Sequence, residues 1–417
     1  MCKAPRRLPI PTAVVISGLL MVLALCTGSA SRTKAKPERT IFPVTTSKIE
    51  KLSREIFEVM SGAISSAEGN GDEVIGCAIA LFVTWITRFG EGSEAAPTGT
   101  VDNAVGSAGM TSQPQPFDAF PQDSAAKGIT AHDTALIFEG GGMRNSYTAA
   151  CVKTLIDQGV EFGWVGGVSA GASHAVNFLA LDSYRAVESF VDFAKNPSFG
   201  GLGSMLRGTG YFNAEFIYEK AADQDLPFDF ETFSSNPTPL NLSAVNALTG
   251  ETVVWTREDI NQVEDLLVRV RASSTLPLIM PMRQIDGVPF VDGAMGDSGG
   301  IVIDEAEKAG FEKFLFVGTK PRGFVRPEVK RKAGVRGFFR KYPSVAEAMI
   351  SRPAKYNASK QRLLELEQEG RAQLFFPEDM QVSSTERNVM KLRANYQAGK
   401  QQMYAEWPAW KKFLESN

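Results

Sequence analysis

Two consecutive units of buried-strand pattern, glycine-rich turn and helical pattern constrain the fold of this chain more than any other feature. The strand patterns are Thr134–Phe138 and Phe162–Val168, and the helical patterns are Tyr147–Gly159 and Ala170–Leu181. Strand, crossover helix and parallel strand wind right-handed, so the two glycine turns should lie side by side at the carboxyl edge of a parallel sheet. The sequence therefore predicts an α/β fold whose two turns face one ligand.

The second turn has the sequence Gly-Val-Ser-Ala-Gly and spans residues 167–171. Gly-x-Ser-x-Gly is typical of a tight strand-to-helix turn that exposes a nucleophilic serine, with Gly167 and Gly171 flanking Ser169 because a Cβ there would clash. A solvated serine in a glycine turn is the simpler interpretation. The strand and helix in register on either side favour the nucleophile.

A serine hydroxyl needs a neighbouring group that accepts its proton, usually histidine. The chain has only two histidines. His132 precedes the first core strand, and His174 lies five residues after Ser169, where a helix turning by about 100° per residue carries it well away from the serine. The sequence therefore predicts that a carboxylate is the base.

Asp292 is the best candidate for that carboxylate. It ends the strand pattern Val288–Val291, and Gly293 and Ala294 leave the backbone free to turn and present the carboxylate. Asp286, in a hairpin turn with a following glycine, and Asp297, in a glycine-rich loop, fit structural roles.

The first turn, Gly140–Gly142, begins a helix, where free backbone amides can bind a developing oxyanion. A dinucleotide-binding fingerprint is the alternative, but the third glycine is missing, since Asn145 occupies its place. Arg144 could orient this loop, attract an anionic headgroup or form an ordinary salt bridge.

In order and spacing, four motifs resemble the patatin-like phospholipase family. They are Gly-Gly-Gly-Met-Arg at 140–144, Gly-Val-Ser-Ala-Gly-Ala at 167–172, Ala-Ser-Ser-Thr-Leu-Pro at 272–277 and Asp-Gly-Ala at 292–294. The resemblance covers roughly Thr134 to the chain end, and the tail is similar to a bacterial branch with an extended C-terminal helical region. One position departs from the pattern, because Asn145 stands where the family usually has glycine.

The resemblance implies a three-layer α/β/α fold with a mostly parallel central sheet and a C-terminal helical cap. It also implies a lipid acyl hydrolase that uses a Ser169–Asp292 dyad, with Gly141 and Gly142 as the oxyanion amides. Phospholipids or lysophospholipids are the substrates it suggests. A soluble carboxylesterase for small acyl esters and a catalytically silent lipid-binding or scaffold protein are the alternatives.

Composition agrees with a globular protein. Hydrophobic residues make up 43% and charged residues 22% of the chain, and the net charge of −3 argues against nucleic-acid binding. Cys2, Cys26 and Cys77 lie in the N-terminal extension, and Cys151 is expected to be a small core residue. No zinc, EF-hand or Walker pattern occurs, so we expect neither a metal nor a cofactor.

The sequence predicts five segments. They are a signal peptide or signal anchor (1–30), an extension with a second apolar segment (31–89), a flexible linker (90–130), the catalytic domain (131–320), and a basic loop with a helical cap (321–417). The first segment predicts a membrane-associated or exported protein. Translation from Met110 would instead give a cytoplasmic one. The oligomeric state is not predicted.

The segment Lys320–Lys341 is strongly basic. It holds nine Lys and Arg residues against the single acid Glu328, and Phe338, Phe339 and Tyr342 lie among or beside them. Basic residues interleaved with aromatic ones favour contact with an anionic bilayer. A solvated basic loop is the equally simple alternative.

Several further elements are expected around this core. They are a hairpin of Leu240–Val245 and Glu251–Trp255, a late strand Phe311–Val317, helices at Ser344–Ile350, Asn357–Gly370 and Ser384–Ala405, and an aromatic cover at Phe190–Phe199 and Gly201–Tyr211. The aromatic cover would form an acyl-chain wall or simply pack within its own loops.

Overall fold

The computed structural model describes residues 128–201, 204–205, 208–220 and 225–416. The signal or anchor, the second apolar segment, nearly all of the linker and the alternative start at Met110 lie outside the described residues. Within the described part, no helix is long and apolar enough to cross a bilayer.

One eight-stranded sheet organises the chain. Its strands are β1 Thr130–Phe138, β2 Glu161–Gly167, β3 Leu240–Asn246, β4 Thr252–Trp255, β5 Arg283–Ile285, β6 Val288–Asp292, β7 Lys313–Val317 and β8 Ala372–Phe375. The order is β5-β6-β3-β2-β1-β7-β8, with β4 paired to β3. Within this order, the five neighbouring strands β3, β2, β1, β7 and β8 are parallel to one another. β4 and β6 run antiparallel to β3, and β5 runs antiparallel to β6.

Helices cover both faces of this sheet. The α-helices are α1 Asn145–Asp157, α2 Ala170–Leu179, α3 Ser183–Glu188, α4 Phe230–Ser235, α5 Val263–Ser273, α6 Ile303–Lys308, α7 Lys332–Phe338, α8 Pro343–Gln368 and α9 Val389–Glu415, and Glu215–Lys220 is π-helical. The mostly parallel sheet between helical layers confirms the predicted fold class.

The alternation of β1 shows how the layers form. Leu136 and Phe138 belong to the apolar cluster on one face, whereas Ala135 and Ile137 belong to the cluster on the other, and all four side chains are buried. Successive strand residues point to opposite faces, so a strand buried on both sides has a continuous apolar sequence. The segment Thr134–Phe138 shows this pattern.

The C-terminal region belongs to the same sheet and adds one unexpected strand. β8 pairs in parallel with β7 and extends the sheet edge. The two predicted helices at Ser344–Ile350 and Asn357–Gly370 are a single helix, α8, which runs through the buried Pro353. The predicted hairpin of β3 and β4 and the late strand β7 are confirmed.

Candidate active site

Ser169 occupies the sharp turn between β2 and α2. Its backbone has φ 58° and ψ −129°, in a region that residues other than glycine rarely adopt, and its side chain is only 7% exposed. A Cβ on Gly171 would lie 2.3 Å from the carbonyl oxygen of Phe138, so only glycine lets the turn approach the end of β1. The predicted nucleophile therefore has the strained geometry that such turns require.

Ser273, at the end of α5, holds this turn in place. The backbone N–H of Ser169 donates to Ser273 Oγ over 3.0 Å, and the Ser273 hydroxyl donates to the carbonyl of Ser243 over 2.7 Å. The chain Ser169–Ser273–Ser243 links the elbow to strand β3. Ser273 lies in the Ala-Ser-Ser-Thr-Leu-Pro motif, which the sequence singled out without assigning it this role.

The first glycine loop lies against the elbow. A Cβ on Gly140 would be 2.8 Å from Ser169 Cβ, so the two predicted loops are in contact. Gly142 has φ +57°, a left-handed conformation that favours glycine. Among the described residues, no hydrogen bond uses the amide of Gly141 or Gly142. Both amides are therefore available to an oxyanion.

Asn145 and Arg144 follow this loop. Asn145 has φ −65°, so the position requires no positive φ, and its side chain donates to the carbonyl of Glu139 over 3.3 Å. Asn145 thus ties the loop to the end of β1. Arg144 ends the short 3-10 turn of Gly142–Arg144 and is partly buried.

Asp292 ends β6 and is completely buried. Its Oδ1 accepts from the Ala294 amide over 2.9 Å, and its own amide donates to the carbonyl of Thr275 over 2.8 Å. A Cβ on Gly293 would lie 2.0 Å from the carbonyl oxygen of Ser243, so the turn after Asp292 requires glycine. These contacts fix the carboxylate against strand β3.

Burial raises the pKa of Asp292 above its usual range. The Arg352 guanidinium, the Ala294 amide, the Ser169 hydroxyl and the Arg326 guanidinium oppose this rise. Oδ2 is buried and makes no well-aligned hydrogen bond, whereas the Ser169 side chain is near enough to lower the carboxylate pKa. The Ser169 hydroxyl rotates freely, and hydrogen bonds at such sites are often loose before a substrate binds, so the hydroxyl can turn toward the carboxylate.

Neither histidine is placed to act as the base. His174 is completely buried, and its Nε2 lies 3.0 Å from Thr148 Oγ1 and 3.2 Å from the carbonyl of Asn145. Burial lowers the pKa of His174 to about 3, so it is neutral at ordinary pH. His132 is exposed and lies 3.4 Å from Glu161. Both residues have the structural character that the sequence indicated.

A largely apolar cavity of about 80 Å³ opens beside Ser169. Its wall includes Gly142 and Met143 from the glycine loop. Five phenylalanines also line it, from the predicted aromatic cover and the residues that follow it: Phe190, Phe193, Phe199, Phe212 and Phe228. Tyr218 also lines it, and its side chain lies close to the Ser173 and Ser274 hydroxyls. No sequence signal marked Tyr218.

Residues of the C-terminal region contact the glycine loop and the loop that follows Asp292. The amide of Met143 donates to the carbonyl of Ser384 over 3.0 Å, and a Cβ on Gly142 would lie 2.4 Å from the same oxygen. On α8, Arg352 Nε donates to the carbonyl of Gly299 over 3.3 Å, in the loop that follows Asp292. Sequence reasoning missed these supports because they join residues far apart in the chain.

Comparison with known proteins finds matches to two segments of the chain. Residues 136–303 match the family model of patatin-like phospholipase. Over this segment the chain is similar to the patatin-like phospholipase family. Residues 342–415 match a domain of unknown function (DUF6363), which spans α8, β8 and α9. No curated protein matches the chain.

One solved structure similar to the chain is that of VipD from Legionella pneumophila. The two share 13% sequence identity with a TM-score of 0.35, over 68% of this chain and 67% of VipD. Among the described residues, no cluster of His, Cys, Asp or Glu could hold a metal ion.

Proposed function

We propose that the protein is a serine acyl hydrolase that cleaves phospholipids or lysophospholipids. Ser169 Oγ attacks the ester carbonyl while Asp292 accepts the hydroxyl proton, and the Gly141 and Gly142 amides stabilise the oxyanion. The C–O bond to the leaving group then breaks, and Asp292 returns the proton to the departing alcohol. Water, deprotonated by Asp292, next attacks the acyl-Ser169 ester, which releases the fatty acid and restores the Ser169 hydroxyl. The patatin-like domain supports lipid acyl hydrolysis in general.

One observation carries this proposal. A serine in a strained strand-to-helix turn lies near a buried, partly unsatisfied carboxylate, at the wall of an apolar cavity. Burial raises the pKa of Asp292, which makes the ionised carboxylate a stronger base than an exposed aspartate. A site built only for packing would not leave a carboxylate oxygen buried without a well-aligned partner.

A labelling experiment tests the proposal. The purified protein is incubated with a fluorophosphonate probe and, separately, with phospholipids, lysophospholipids and short esters. We expect labelling that is lost in Ser169→Ala and hydrolysis that falls to near background in Ser169→Ala and Asp292→Asn. His132→Ala provides the control and should remain active. A wild-type protein that folds but neither labels nor hydrolyses any ester would be the silent lipid-binding protein.

The size of the cavity supports the small-ester alternative as a second candidate. A volume of about 80 Å³ is small beside the ~300–1,000 Å³ of typical ligand pockets. Comparing butanoyl with hexadecanoyl esters separates the two functions. A carboxylesterase would prefer the short ester in solution and gain nothing from vesicles.

We also propose that the basic segment contacts an anionic membrane. Two of its arginines already have carboxylate partners, since Arg322 pairs with Glu367 and Arg336 with Glu347, each at 2.6 Å. Phe339 is buried, so it is not available to insert into a bilayer. The exposed cations that remain for a membrane include Lys330, Arg340 and Lys341.

Liposome sedimentation tests this surface. The triple change of Lys330, Arg340 and Lys341 to Gln should weaken binding to anionic vesicles, because each cation near such a surface contributes ~1 kcal/mol, and high salt should do the same. Arg322→Gln, whose charge is already paired, is the control and should have a smaller effect. Equal binding to neutral and anionic vesicles at all salt concentrations would leave only a solvated basic loop.

A further inference from the structure

A buried arginine lines the cavity that contains Ser169. Arg185 lies on α3, is 8% exposed and forms part of the cavity wall. The rest of the wall is mostly apolar, with Ser173 and Ser189 among its few polar side chains. A guanidinium in such surroundings is costly to bury unless a counter-charge or a full set of acceptors compensates it.

The partners of Arg185 offset only part of the cost of burying its charge. Its Nη1 donates to Asn177 Oδ1 over 2.6 Å, its Nε donates to the carbonyl of Leu226 over 3.3 Å, and the Phe228 ring centroid lies 5.0 Å from the guanidinium carbon. The Asp182 side chain accepts only from the backbone amide of Arg185, over 2.8 Å. Within the described part of the chain, no carboxylate lies at salt-bridge distance from the guanidinium; the Asp182 carboxylate attracts it from farther away, and the hydrogen bonds of the guanidinium use Nη1 and Nε but not Nη2.

Burial lowers the pKa of Arg185 to about 10, so the side chain keeps its charge at neutral pH. The cavity wall therefore carries a full positive charge with an unused amino group. This is the arrangement that a bound anion would complete.

The cavity extends from Ser169 to this charge. Ala170, Ser173 and Val176 line it and lie at successive turns along one side of α2. At 1.5 Å per residue, Val176 lies about 10 Å along the helix axis from Ser169. Asn177, the partner of Arg185, is the next residue. Asn177, which holds the guanidinium, therefore lies about two helical turns beyond the nucleophile, so the cavity wall runs from Ser169 toward Arg185.

We infer that Arg185 is a specificity-determining residue that binds a carboxylate at the far end of the acyl chain held on Ser169. The inference rests on the proposed acyl hydrolase function and narrows its substrate class to medium-length acyl chains with an anionic end. A carboxylate would accept from Nη2 and pair with the buried charge, in the geometry that guanidinium favours. A methyl end would leave Nη2 buried without a partner, which is unfavourable.

Matched pairs of soluble esters test this inference. Each pair has the same leaving group and the same acyl length, from butanoyl to dodecanoyl, and differs only in a methyl or a carboxylate end. We expect wild-type kcat/KM to favour the carboxylate member at one intermediate length by about tenfold to a hundredfold, the range of a hydrogen bond to a charged group. In Arg185→Met the preference should disappear, and in Arg185→Lys part of it should remain.

Arg257 provides a matched control. Like Arg185, it is partly buried, and its guanidinium carbon lies 4.6 Å from the Phe233 ring centroid. It donates to the carbonyls of Thr238 and Phe233 but does not line the cavity. Arg257→Met should therefore leave the preference unchanged.

Two results would overturn the inference. One is equal wild-type hydrolysis of both members at every length, which needs no variant and so does not depend on Arg185→Met folding. The other is an unchanged preference for the carboxylate ester in a folded Arg185→Met protein. Arg185 would then have only a structural role, in which it links α2 to the Leu226 carbonyl. Failure of the proposed function is distinguishable, because Ser169 would then neither react with the fluorophosphonate probe nor support hydrolysis of any ester.

Discussion

Replacing Ser273 with alanine should damage both the stability and the activity of this protein. The Ser273 hydroxyl accepts from the Ser169 amide over 3.0 Å and donates to the Ser243 carbonyl over 2.7 Å, and the side chain is completely buried. In Ser273→Ala the Ser169 amide is left buried without a partner, which costs about 1–3 kcal/mol, and the bond to Ser243 is lost at about 1 kcal/mol. We expect the free energy of unfolding to fall by about 2–4 kcal/mol.

Ser274 supplies the control because it is adjacent and also buried. Its Oγ makes no well-aligned hydrogen bond, although it lies near the Tyr218 hydroxyl. Ser274→Ala should therefore change the free energy of unfolding by less than about 1 kcal/mol. Urea unfolding monitored by circular dichroism measures both variants.

Activity should separate the two variants further. The Ser169 backbone is held at φ 58°, and the Ser273 hydroxyl is the only partner of its amide within the described residues. Without that bond the turn can relax, so hydrolysis by Ser273→Ala should fall more than its loss of folded protein explains. Equal unfolding free energies and equal turnover for the two alanine variants would refute the role of Ser273 as a support of the elbow.

Four further outcomes follow from the structure. Asp292→Asn should abolish hydrolysis yet increase the free energy of unfolding in urea at neutral pH. Because the folded-state pKa of Asp292 is raised, its contribution to folding stability is fully present below its unfolded-state pKa and is lost as pH rises through its folded-state pKa. Arg352→Met should move the acid limb of the kcat/KM profile to higher pH by removing a charge that lowers the Asp292 pKa, whereas Arg362→Met, on the same helix but paired with Glu307 at 2.7 Å, should leave it unmoved. His174, with its pKa lowered from 6.5 to about 3, contributes stability above pH 6.5 that is lost as pH falls toward 3, so His174→Gln should flatten the dependence of unfolding free energy on pH in that window. Gly142→Ala should reduce turnover by about tenfold or more, because Gly142 has a left-handed backbone and its amide is one of the two proposed oxyanion donors. Unchanged turnover would show that the oxyanion binds at other donors.

Local patterns in the sequence were enough to predict the centre of the fold. The elbow at Ser169 and the glycine loop at Gly140 each depend on a strand, a turn and a helix that are contiguous in the chain, and the crossover rule then makes them neighbours. Asp292 could be chosen because the chain lacks a suitable histidine and because a strand ends there. The structure brings Ser169, Asp292 and both loops together.

Long-range contacts explain what the sequence did not predict. β8 is a four-residue strand that exists because β7 offers an open edge, so its own sequence gives little signal. The sequence predicted two separate helices, whereas α8 is continuous through the buried Pro353. The contacts of Arg352 and Ser384 join segments that only the folded chain brings together.

The docking of Ser384 against the glycine loop makes the proposed site depend on a segment that follows the patatin-matching residues. Met143 gives its amide to a residue that follows it by more than two hundred positions, and Gly142 packs against the same carbonyl. A ribosome-bound chain that had emerged only through the patatin-matching segment would already contain Ser169 and Asp292, yet its oxyanion loop would lack this support. In the proposed hydrolase, the glycine loop would therefore gain this support only after the segment that contains Ser384 has docked, and removal of that segment by a protease should lower hydrolysis without touching Ser169.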